Sequence, residues 1–167
     1  MYELGTPFAG RLFASAMPFS EHDFDSNLWD AYLSLGITHV VVLVTEDELA
    51  HGPQRDLLAW YRQHGLTVYH EPIPDFHTPQ DLAQFQDALA WTRDALERGA
   101  SVAVHCAAGR GRTGLFLACW AQEALNMSPE AALGWVRRYI PGAVETREQE
   151  DFVRAWPRLR ESLQTSC

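Results

Sequence analysis

The sequence predicts one α/β domain over residues 1–167, with a central, mainly parallel sheet flanked by helices. Three features predict it. Short apolar, β-branched runs alternate with segments of helical period through the first two thirds of the chain. The last third carries helical patterns only. The run 38–44 (THVVVLV) lacks polar alternation, as a strand covered on both faces does.

Residues 11–14 (RLFA) read as a first short strand. A helix is expected over 27–35, stopped by Gly36. The buried strand 38–44 follows. A helix over 53–64 places Leu57, Leu58 and Tyr61 on one face and ends at Gly65. Residues 66–70 form the next strand. Thr78-Pro79 is expected to open a long helix through Arg98, because proline suits a first helical position. Its buried face is Leu82, Phe85, Leu89, Thr92 and Leu96. Residues 101–105 (SVAVH) are a third apolar strand, followed by a glycine-punctuated loop and a helix over 113–126. Ser128-Pro129-Glu130 caps the next helix, which stops before Pro141-Gly142. A last helix spans 146–163, with Pro157 expected to kink or divide it.

Composition removes several chemistries. All 13 basic residues are arginine, so there is no Walker phosphate loop and no lysine for Schiff-base or pyridoxal-phosphate catalysis. The net charge of −9 argues against nucleic-acid binding. No apolar run is long enough to span a bilayer, and no signal-peptide pattern opens the chain. Cys106, Cys119 and Cys167 are an odd set without a Cys-x-x-Cys pair. The expectation is a reduced, cytoplasmic protein without membrane or nucleic-acid partners. His39, His51, His64 and His70 lack metal-ligand spacing, so neither metal nor cofactor is expected.

The chemistry lies in His105-Cys106-Ala107-Ala108-Gly109-Arg110-Gly111-Arg112-Thr113-Gly114. A strand ends at Cys106, and a helix begins near Arg112. The small residues Ala107, Ala108, Gly109 and Gly111 let the backbone curl with N–H groups facing one centre, backed by a helix N-terminus. That is a site for phosphate, sulfate or vanadate. Arg112 adds a planar bidentate clamp. The groups that favour the anion also favour a thiolate at Cys106, a nucleophile in line for displacement at phosphorus. Thr113 can donate its hydroxyl to the sulfur, and His105 can order the loop through backbone carbonyls. Expulsion of an alkoxide or phenoxide needs a proton donor, for which Asp75 is the candidate. Pro74 stiffens its loop, and the Phe76 ring is expected to shield its carboxyl. Asp47 and Glu71 are rival acids, and the run Glu46-Asp47-Glu48 reads as a solvated face or a helix start. His77, on the same loop, is a candidate substrate contact. Cys119 reads as core, with reversible pairing to an oxidised Cys106 as the alternative hypothesis.

The pattern His-Cys-x5-Arg-Thr resembles the signature loop of the cysteine-dependent protein tyrosine and dual-specificity phosphatases. Ile73-Pro74-Asp75-Phe76 resembles the segment with that family's general acid. Val144-Glu145-Thr146-Arg147-Glu148-Gln149-Glu150 resembles the late loop that places the hydrolytic water. Order and size are most similar to the compact atypical enzymes of the VHZ type, over residues 10–156. The resemblance implies a protein tyrosine phosphatase-like fold and hydrolysis of phosphomonoesters through a cysteinyl-phosphate. It implies a water held by Gln149 and Glu145, with the division of labour open, since larger tyrosine-specific members have Gln at the place of Glu145.

The chain has little room for the segment that deepens the pocket of the tyrosine-only enzymes. A shallower cleft suits phosphotyrosine together with phosphoserine and phosphothreonine in proteins or peptides. Arg110, with Arg137, Arg138 or Arg147, can meet a second negative charge. Ala107 stands where lipid and inositol-phosphate phosphatases often have lysine, which counts against such substrates without removing them. The remaining alternatives are an inositol phosphate or phosphoinositide phosphatase, a non-catalytic phosphopeptide-binding module, and sulfur or arsenate chemistry on a similar loop.

Overall fold

The computed structural model describes residues 1–53 and 55–165. Cys167, expected from sequence to be a frayed terminal thiol, lies outside the described residues. Among these, five strands form one sheet: β1 (Tyr2–Leu4), β2 (Arg11–Ser15), β3 (His39–Val42), β4 (Thr67–His70) and β5 (Ser101–His105). Their order is β1-β2-β5-β3-β4. β5 is the middle strand, parallel to β2 and β3, and β4 continues the parallel order. The edge strand β1 is antiparallel to β2. Val40, Val41 and Val42 are fully buried, as their unbroken apolar run requires.

Seven helices are described: α1 (Leu28–Ser34), α2 (Glu46–His51), α3 (Leu57–Gln63), α4 (Leu82–Glu97), α5 (Gly111–Ala124), α6 (Pro129–Tyr139) and α7 (Arg147–Thr165). α5 is buried along nearly its whole length and packs against α4, α6 and α7. A helix that is apolar all round belongs in a core. Phe85 of α4 meets Phe116 and Trp156 edge-on, with ring centroids 5.7 Å and 5.0 Å apart. The α/β class and the mainly parallel sheet are therefore as the sequence predicts.

Several boundaries differ, each for a local reason. α4 begins at Leu82, not at Thr78-Pro79, because the Asp81 carboxylate caps it by accepting from Ala83 N and Gln84 N. α3 likewise starts late, capped by Asp56. β1 and α2 are additions to the predicted elements. Pro157 neither ends nor divides α7. A proline removes the hydrogen bond to the carbonyl four residues back, here Val153. That carbonyl accepts instead from Gln122 Nε2 at 3.0 Å. The helix therefore runs through without a buried orphan at that point.

Candidate active site

The site forms at the carboxyl end of the sheet's middle strand, where open α/β folds place ligands. Cys106 follows β5 directly and is buried. The loop then runs over Ala107–Arg110 into α5. Gly109 has φ +75°, and a Cβ there would stand 2.4 Å from the Ser15 carbonyl oxygen, so no side chain fits. A Cβ on Gly111 would stand 2.6 Å from Glu145 Oε2. Gly109 is thus needed for the loop to close against β2, while Gly111 brings the loop close to the Glu145 and Gln149 side chains. Among the described residues, the backbone N–H groups of residues 107–110 have no hydrogen-bond acceptor. Such a row of free donors ahead of a helix N-terminus is a ready anion cradle.

Arg112 is the largest charged group in the core, with 1% of its side chain exposed. Glu48 holds it with both carboxylate oxygens, Nη1–Oε2 and Nη2–Oε1 each at 2.8 Å. Nη1 also donates to the Ile73 carbonyl at 3.0 Å. Burial is the largest influence and disfavours the guanidinium charge, but the Glu48 hydrogen bonds together with the nearby Cys106, Glu48 and Asp75 charges hold the pKa above its ordinary value. Nη2 lies 2.9 Å from Asp75 Oδ1. Nε is buried without a partner, as is the hydroxyl of the neighbouring Thr113. The Arg112 donor and the loop amides fit an oxyanion, and the Arg112 edge presents the parallel N–H pair that such a group accepts.

His105 is fully buried and anchors the loop from beneath. Its Nδ1 donates to the Cys106 carbonyl at 3.1 Å, so Nε2 is the acceptor for the Tyr61 hydroxyl at 3.0 Å. Burial pushes its pKa down to about 4, outweighing the bond to that carbonyl, and the ring is neutral.

A pocket of about 190 Å³ collects these groups. His22, Asp75, Phe76, Cys106, Arg110 and Glu145 are among its lining residues, with the signature-loop backbone. His22, Asp75 and Ala107 also line an adjoining cleft of about 420 Å³ that includes Glu21, Glu48 and His51. Asp75 is therefore brought to the loop as the sequence anticipates. Phe76 does not shield it: the ring is exposed, and about half of the Asp75 side chain is too.

Other expectations are corrected. Asp47 is exposed on α2 and lines neither cavity. Glu71 is buried beside Gln84 and Asp81, away from the loop, with Oε2 unpartnered. Arg137 is spent on the Ala143 and Val144 carbonyls and on Glu150. Arg147 is solvent-exposed beside Asp151, and Arg138 is exposed. Of the arginines considered for a second charge, Arg110 alone reaches the pocket, with Nε 3.9 Å from Glu145 Oε1. His77 pairs with Glu148 instead of lining the pocket. Cys119 is buried in α5. It lies eight positions past Gly111, where α5 starts.

Sequence reasoning misses Glu48, Tyr61 and His22. Thr45 and Glu48 form a reciprocal capping box, Thr45 N donating to Glu48 Oε2 at 3.0 Å and Glu48 N to Thr45 Oγ1 at 3.4 Å. The T-x-x-E spacing is the signal for it. Tyr61 lies on the predicted core face, and a buried tyrosine hydroxyl requires a partner. Nothing in the sequence singles out His22. Among the described residues, no group of three or more His, Cys, Asp or Glu side chains could hold a metal ion. Nor is any helix there long and apolar enough to cross a membrane.

A family model described as "Polymorphic toxin system, DSP-PTPase phosphatase" matches residues 24–124. The chain belongs to the DSP-PTPase phosphatases. It is 31% identical over 122 residues to cyclin-dependent kinase inhibitor 3 of Rattus norvegicus, covering 72% of this chain and 57% of that protein. It thus spans little more than half the length of such curated relatives. Among solved structures, Tk-PTP in its active form superposes with a TM-score of 0.71 at 32% identity, covering 89% of this chain and 90% of that one. Kinase associated phosphatase, crystallised with its catalytic-site cysteine replaced by serine, gives a TM-score of 0.79 at 26% identity, over 92% of this chain and 88% of the other. The resemblance carried by the signature loop is therefore one of family and fold: a compact dual-specificity phosphatase.

The misplaced rival acid has its own consequence. Burial pushes the Glu71 pKa up from 4.5 to about 7, and the Asp81 charge adds to it. The folded state then holds a proton that the unfolded state releases, so this contribution is lost as pH rises from about 4.5 through about 7. Glu71→Gln is expected to gain ~1–3 kcal/mol relative to wild type at pH ~8 over the difference at pH ~5. Urea unfolding of both proteins at the two pH values measures it, and an equal difference at both would contradict the assignment.

Proposed function

We propose that this chain, one catalytic domain over residues 1–167, hydrolyses phosphomonoesters of proteins through a cysteinyl-phosphate on Cys106. The observation that carries this is the Arg112 guanidinium. It is buried, locked by Glu48 and left with an unpartnered Nε, in the same pocket as Cys106.

In the first step Cys106 Sγ attacks phosphorus, an S–P bond forms and the P–O ester bond breaks. Asp75 gives its proton to the departing oxygen. The amides of Ala107, Ala108, Gly109, Arg110 and Gly111 and the Arg112 edge hold the equatorial oxygens, which carry the transition-state charge. A phosphoryl group on that edge competes with Asp75 for Nη2, and so releases the carboxyl toward the leaving group. Thr113 steadies the sulfur with its hydroxyl, and His105 fixes the carbonyl of Cys106. In the second step water attacks phosphorus, Asp75 takes the water's proton and the thiolate departs. Glu145 lines the pocket and orients that water. Gln149 supports it with the second amide hydrogen, since Oε1 already accepts from Glu145 N and Thr146 N while Nε2 donates to the His77 carbonyl.

The small pocket opening sideways into a wider cleft supports phosphotyrosine and phosphoserine/threonine alike. The Glu145 carboxylate beside Arg110 offsets the one charge that could take a second phosphate, which disfavours inositol polyphosphates. Phosphate release from an aryl phosphate, phosphotyrosine and phosphoserine/threonine peptides, phosphoinositides and inositol hexakisphosphate tests the reading. Release from the peptides is expected. Release confined to inositol species would move the substrate class, and binding without release would indicate a phosphopeptide-binding module.

A further inference from the structure

The turn that carries Asp75 is held from α7. After Pro74 the chain reverses, with His77 N donating to the Pro74 carbonyl at 3.1 Å. Phe76 takes φ +63°, a conformation unfavourable for an aromatic residue that persists only where its surroundings enforce it. Two carbonyls of this turn accept hydrogen bonds from one capping box. Thr146 Oγ1 donates to Phe76 O at 3.2 Å, and Gln149 Nε2 donates to His77 O at 3.3 Å. Within the box, Gln149 N donates to Thr146 Oγ1 at 3.1 Å and Thr146 N donates to Gln149 Oε1 at 3.3 Å. The Thr146 hydroxyl has one proton. Its lone pair is occupied by Gln149 N, and its proton goes to the strained residue next to Asp75. A third contact, His77 to Glu148, lies between exposed side chains and adds little.

We infer that Thr146 is a positioning residue for proton donation: the capping box of α7 latches the Asp75 turn and aims its carboxyl at the phosphate pocket. The inference rests on the reading of Asp75 as the acid. Its consequence is selective. A displaced acid costs most when the leaving oxygen needs a proton and least when the leaving group departs as a stable anion.

The test compares kcat of wild type, Thr146→Val, Thr146→Asp, Thr146→Ser and Asp75→Asn on a poor and an activated aryl phosphate. Aspartate retains the N-cap acceptor but has no proton for Phe76 O, so it separates latch from cap if the valine variant folds poorly. Serine keeps both bonds. Thr146→Val and Thr146→Asp are expected to lose ~10–10²-fold on the poor leaving group and far less on the activated one, with Thr146→Ser near wild type. Equal losses on both substrates, or none, alongside a leaving-group-dependent loss in Asp75→Asn, would overturn the latch. No leaving-group dependence in Asp75→Asn would overturn the acid assignment itself, and the latch with it.

Discussion

Cys106→Ser is expected to lower turnover by roughly 10⁴–10⁶-fold while leaving the binding of phosphate or vanadate close to that of wild type. The two expectations come from different atoms. Turnover needs a polarisable anion at position 106, and a serine hydroxyl is far harder to ionise than a thiol. Binding needs the free amides of residues 107–110 and the Arg112 edge, none of which the substitution touches. The site is also built so that the exchange does not disturb it. Glu48 holds Arg112 with two oxygens, and the Cys106 carbonyl is fixed from below by His105 and Tyr61. Steady-state kinetics with a competitive oxyanion, and calorimetry of the same oxyanion, read the two halves separately. Activity near wild type would remove Cys106 from the chemistry. Lost binding would mean that the sulfur itself organises the loop.

Asp75→Asn is expected to lower kcat by ~10²–10⁴-fold on substrates with poor leaving groups, and much less on an activated aryl phosphate. The amide keeps the size of the side chain but has no acidic proton. Its position is set by the Pro74 turn, by Phe76 N donating to Oδ1 at 3.1 Å and by the Arg112 contact at 2.9 Å. Asparagine loses the charge in that last contact, while Glu48 continues to hold the guanidinium. An equal loss on all substrates would assign Asp75 to placing Arg112 and leave the acid to be sought elsewhere in the cleft, with His22 first.

The parts of the site that are contiguous in the chain are legible in the sequence itself. The strand Ser101–His105, the small-residue loop and the helix after it appear in chain order, because a strand–turn–helix needs only local chemistry. Glu48 is not legible in that way. It lies 64 residues from Arg112, and its local role as a helix-capping residue fully explains its identity. Gln149 has the same double character. It caps the last helix through Thr146, and that cap is buried against Gly111 of the loop. Pro157 shows the converse: a reliable local rule is overridden by a side chain from another helix, Gln122, that supplies the missing donor. β1 is three residues long with one buried side chain, too little pattern to register.

The central claim is that the phosphoryl group passes through the Cys106 sulfur. Acid quench during turnover of an aryl phosphate, followed by proteolysis and mass spectrometry, tests it most directly. One phosphoryl group on the peptide that contains Cys106, absent from the Cys106→Ser protein, is the expected result. A pre-steady-state burst of the released phenol with phosphate on any other residue, or on none, would contradict it.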